Sequence, residues 1–72
     1  MQPVEVFKTN VDKPRKARQL VMKLVDHFPQ CKINFDLQDC DRILRVQGKE
    51  IYPERITELL GQHGYHCEIL PE

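Results

Sequence analysis

A small α+β fold, with its elements in the order β-α-β-β-α-β, is predicted by three features of the chain. Two segments carry apolar residues at the period of a helix, four shorter ones at the period of a strand, and Pro, Gly or acidic turns mark the junctions. The third feature is length: 72 residues leave room for one domain, spanning 1–72. At this size folding hides only about 60% of the unfolded chain's surface. Each well-packed position therefore carries weight.

Val4-Glu5-Val6-Phe7-Lys8-Thr9 is rich in β-branched and aromatic residues and reads as a strand ending at Asn10. From Pro14 to Phe28, the residues Ala17, Leu20, Val21, Leu24 and Phe28 form one stripe of an amphipathic helix, closed by Pro29. Its N-cap is Asp12 or Lys13: the aspartate is the better acceptor, while Pro14 at the first helical position selects the lysine. Cys31, Ile33, Phe35 and Leu37 alternate with Lys32, Asn34 and Asp36 in a half-buried strand, and Gln38-Asp39-Cys40-Asp41 turns the chain. Arg42 to Gln47 returns, with Leu44 and Val46 on one face and Ile43 and Arg45 on the other, and stops at Gly48.

Pro53 opens the second helix, whose Ile56, Leu59, Leu60 and His63 share a face, with Ile51 placed for a hydrophobic staple onto Ile56. Gly61 weakens this helix by about 1 kcal/mol relative to alanine, and Gly64 ends it. Tyr65 to Leu70 is the last strand, with Tyr65, Cys67 and Ile69 on one side. Two right-handed crossovers joined by a hairpin fold most simply as an antiparallel four-stranded sheet of order 4-1-3-2, both helices on one face. That is the ferredoxin-like sandwich. Its expected core is Val4, Val6, Leu20, Leu24, Ile33, Phe35, Leu44, Val46, Ile56, Leu60, Cys67 and Ile69. In this topology the connections Thr9 to Lys16, Gln38 to Asp41 and Gln62 to Tyr65 meet at one edge, where a loop-built site would form.

Composition narrows the function. The start of the chain has no basic region followed by an apolar one, and no apolar run is long enough to span a membrane, so a cytoplasmic protein is expected. Three cysteines, an odd number with no C-x-x-C, fit reduced thiols. Cys31 and Cys67 begin opposite edge strands, too far apart for a disulfide. The formal net charge is zero, yet between residues 8 and 25 Lys8, Lys13, Arg15, Lys16, Arg18 and Lys23 face Asp12 alone. That imbalance steers an anionic partner or ties the two halves of the domain together.

The run Val6, Val11, Lys13, Lys16, Leu20, Leu24, Ile56, Leu60, Gly64 and Tyr65 resembles the heavy-metal-associated domain across almost the whole chain. That family opens with a strand, a Gly-Met-x-Cys-x-x-Cys loop and a helix, and ends with a helix and a Gly-Tyr strand. Here Asn10 stands for the glycine, Val11 for the methionine, and Lys13 and Lys16 for the two metal-binding cysteines. The resemblance implies the fold and a site that has lost its thiolates. Two ammonium groups have no free lone pair and repel a cation, so no metal is expected by the family's mode and no cofactor is expected.

Substituted ligands are the alternative: Cys40 and His63 both belong to the loop edge, with Asp39 and Asp41 beside them, and their donor types suit zinc. His27 and Cys31 lie at the opposite edge, and His66 faces outward from the sheet. A third reading takes Lys13, Arg15, Lys16 and Arg18, crowded into the first turns of the first helix against its dipole, as a site for an anion or acidic partner. The simpler reading, which the sequence favours, is that Asp12 with Asp39 and Asp41 of the acidic hairpin already neutralises them. Nucleic acid is disfavoured, because the third strand has no aromatic residue and only Phe7 is available to stack a base. Catalysis is not expected: no phosphate loop or nucleophile-base pair is present, and Cys40 lies between two acids that raise its pKa. The sequence thus reads as a non-catalytic binding module, monomeric or weakly dimeric, whose partner is an unidentified protein or small anionic ligand.

Overall fold

The computed structural model describes residues 3–38 and 42–71. Its elements follow the expected order: β1 (Val4–Thr9), α1 (Pro14–His27), β2 (Lys32–Asp36), β3 (Ile43–Gln47), α2 (Pro53–Gln62) and β4 (Cys67–Ile69). One antiparallel sheet contains all four strands in the order β2-β3-β1-β4, which counted from the β4 edge reads 4-1-3-2.

Each helix starts at a proline, whose fixed φ suits the first helical position and whose missing N–H is no loss there. Pro14 also holds the preceding residue extended, so Lys13 (φ −113°, ψ 126°) is the N-cap of α1 rather than Asp12. At the far end of α2, Gly64 adopts a left-handed φ of 85°. Its N–H donates to the Gly61 carbonyl at 3.0 Å and that of Tyr65 to the Leu60 carbonyl at 3.0 Å, a Schellman turn that folds the chain back on the helix.

Phe7, Leu44 and Val46 point from the two central strands to one face of the sheet. Leu20 and Leu24 of α1 and Ile56 and Leu60 of α2 close over them, so both helices pack on that face. α1 lies against β2, and α2 against β4. Val11, in the loop after β1, is fully buried beside them. Ile33, Phe35, Ile51 and Cys67 are only half-buried but pack against this cluster. Gly48 is also enclosed, because a methyl group on its Cα would stand 2.7 Å from Cys31 Sγ.

The β1 faces reverse the expectation. Phe7 pairs with Leu44 and is fully buried, whereas Val4 is 40% exposed and Val6 only half-buried. A strand's side chains alternate, so Val4 and Val6 cannot share the core face with Phe7. Turning Phe7 inward buries the larger apolar surface and also carries Thr9 into the interior, 5% exposed. Ile69, also expected in the core, is 41% exposed on the three-residue edge strand β4. The sheet face away from the helices presents Lys8, Arg45, Asn34, Asp36 and Glu68, with Arg45 Nη1 3.6 Å from Asp36 Oδ2. Among the described residues that face carries no Phe, Tyr or Trp ring, Phe7 having turned the other way.

The register predicts unequal losses in urea unfolding. Phe7→Ala should cost about 3 to 5 kcal/mol and Val6→Ala about 1 kcal/mol or less. Equal losses would mean that β1 presents its other face to the helices.

Candidate functional site

The loop from Asn10 to Lys13 is fixed by short polar contacts on both sides. The Thr9 hydroxyl donates to the Arg42 carbonyl at 2.6 Å and accepts the Val11 N–H at 3.3 Å. Asn10 joins the loop to the start of β4: its N–H donates to the His66 carbonyl at 3.3 Å and its Oδ1 accepts the His66 N–H at 2.9 Å. Arg42, at the foot of β3, takes a left-handed φ of 49°. The first loop, the return into β3 and the turn after α2 therefore meet at one edge, as the topology requires.

Lys13 is the N-cap of α1, Arg15 and Lys16 occupy its first turn, and Arg18 follows; all four side chains are exposed. Among the described residues no side chain caps the start of this helix, and no acidic residue lies in its first turn. Among the described residues no ion pair joins any of the four cations to a carboxylate. The positive end of the helix dipole thus faces positive side chains, an arrangement that costs about 0.3 to 1 kcal/mol per cation when solvent-exposed. The four do not form one patch. Lys16 turns toward the end of α2, where it lines a cleft with His63 and Tyr65, while Arg18 borders the groove between α1 and Phe35 of β2.

The metal alternative is divided by the structure. Cys40, with Asp39 and Asp41, lies outside the described residues. His63, expected on the apolar face of the second helix, caps the C-terminal end of α2 and is exposed. Its helical phase ends at Gln62, so the residue is released from the buried stripe. Lys16 and Lys23 line the same cleft as His63, and two ammonium charges oppose a metal cation there. Among the described residues no three His, Cys, Asp or Glu side chains gather to hold a metal ion. His27 is exposed with its ring 6.3 Å from that of Phe28, and exposed His66 places Nε2 3.3 Å from Glu68 Oε2. No helix among the described residues is long and apolar enough to cross a membrane.

The two described cysteines are unpaired and face the interior. Burial pushes the Cys67 thiol from its ordinary 9.0 up to about 12 and raises that of Cys31 as well. Both are protonated at neutral pH, the form that is a poor nucleophile and a poor soft-metal ligand. Sequence reasoning placed Lys16, His63 and Tyr65 at this edge through their connections but did not join Gln19 and Lys23 to it. Their only signal was the spacing of Lys16, Gln19, Leu20 and Lys23 along one side of α1.

The Cys67 shift has a sign in stability. The unfolded chain releases this proton near 9.0 and the folded chain near 12, so the contribution is fully present below pH 9 and is lost as pH rises toward 12. Cys67→Ala should therefore show a shallower alkaline decline of melting temperature than wild type between pH 9 and 11. Parallel declines would mean the thiol ionises equally in both states. No family model, curated protein or solved structure matches the chain, so the reading of this edge rests on its own geometry.

Proposed function

We propose that the chain is a small non-catalytic interaction module on a ferredoxin-like frame similar to the heavy-metal-associated domain, and that the cationic start of α1 is its contact surface for an acidic partner. One observation carries the reading: among the described residues the first turn of α1 has no side-chain cap and no acid, and Lys13, Arg15 and Lys16 stand exposed around its N–H groups. An anionic surface docked there would satisfy those N–H groups and reverse the dipole conflict together. Lys13 and Lys16 are the N-cap and third residue of a helix that follows a buried loop residue, Val11. That placement supports the comparison with a loop that carries two thiolates at the same spacing. The protonated, inward-facing thiols support a role without covalent chemistry, and their unpaired state is consistent with a reducing, cytoplasmic setting.

A fluorescent oligoglutamate peptide tests the contact surface. Wild type should bind it with affinity that falls as salt is added, and the variant Lys13→Gln, Arg15→Gln, Lys16→Gln, Arg18→Gln should bind at least about tenfold more weakly. Equal affinity of the two proteins, or none in wild type, removes the proposal. The family likeness has its own test. Lys13→Cys with Lys16→Cys, kept reduced, should gain tight copper(I) binding that wild type lacks, with Pro14 stiffening the loop between the ligands. A folded double-cysteine variant that binds copper(I) no better than wild type would reduce the likeness to a shared fold.

A further inference from the structure

The Schellman turn that ends α2 brings His63 and Tyr65 across to α1, where Lys16, Gln19, Leu20 and Lys23 face them around a cleft of about 120 Å³. Five of the six lining side chains can donate a hydrogen bond: two ammonium groups, an imidazole, an amide and a phenol. Leu20 is the apolar floor, and among the described residues no carboxylate lines the cleft. Asp26, one turn beyond Lys23, borders the neighbouring surface instead, and among the described residues no ion pair neutralises Lys16 or Lys23. The volume is well below the roughly 300 Å³ at which sites for drug-sized ligands begin, so it suits a single oxyanion. The geometry points to a binding site for one phosphate group between α1 and the end of α2, held by Lys16 and Lys23, with Gln19, His63 and Tyr65 as further donors.

This site deepens the contact-surface reading through Lys16, which both share, and Lys23 separates them because it lies two turns further along α1. Isotope-labelled protein is titrated with inorganic phosphate and with O-phosphoserine at fixed ionic strength, using chloride as the control. Saturable amide shifts should centre on Lys16, Gln19, Lys23, His63 and Tyr65. Tighter binding of phosphate would identify a free oxyanion as the ligand, and tighter binding of phosphoserine a phosphate monoester; either supports the site. Lys23→Gln, an exposed change expected to leave the melting temperature unaltered, should weaken binding roughly tenfold. Lys13→Gln with Arg15→Gln should change it less than about twofold, because neither residue lines the cleft. Shifts that do not saturate, or equal weakening by both variants, overturn the site. A protein that binds oligoglutamate without taking phosphate fails the cleft alone, whereas one that takes phosphate and ignores the peptide fails the contact surface alone.

Discussion

The packing of Phe7 against Leu44 is the contact on which the rest of the structure depends. Phe7 sits on one central strand and Leu44 on the other, so their shared face defines the side on which both helices must lie. A slip of one residue in β1 would exchange Phe7 for Val6 or Lys8 and turn every other side chain of the strand over. Thr9 reaches the Arg42 carbonyl only in this register, and that bond anchors the loop leading into α1. The position of the helix start is thus inherited from the centre of the sheet.

Two local preferences conflict at that start. Pro14 initiates the helix well but leaves Lys13 as an N-cap with no oxygen to offer. The tension is confined to the loop edge, whereas the interior of the domain is locally consistent. Among the described residues no buried side-chain nitrogen or oxygen lacks a partner, and the amphipathic stripes of both helices agree with the layers they build. A local rule broken in a frame that otherwise obeys them is where function is most often found.

Most of the frame was legible because its signals were redundant. The stripe of Ala17, Leu20 and Leu24 and the alternation of Ile33 and Phe35 each allow one phase, and the prolines and glycines fix the boundaries. β1 was misread for a definite reason: Val4 and Val6 occupy one parity and Phe7 the other, so apolar alternation alone favours neither clearly. Side-chain size and pairing with β3 decide it. His63 was assigned to the apolar face because its spacing from Ile56 and Leu60 is helical, yet Gly64 ends the helix early enough to free it. The cleft was illegible for a third reason. The topology already set Lys16 beside the Gln62–Tyr65 connection, but that the turn around Gly64 carries His63 and Tyr65 along α1 as far as Gln19 and Lys23 is encoded by no local pattern.

The enclosure of Cys31 by Gly48 reaches beyond packing. The sulfur occupies space that a single methyl group on the glycine would invade, and it donates its S–H to the Glu50 carbonyl with Sγ 3.8 Å from the oxygen. Gly48 closes one side of the sulfur and the residue is 7% exposed, so a bulky glutathione cap or alkyl adduct meets little open space there. Modification of this thiol is therefore tied to opening of the chain around Cys31 and Gly48, its rate being the open population multiplied by the reactivity of the exposed sulfur, or the opening rate itself where reaction outpaces reclosing.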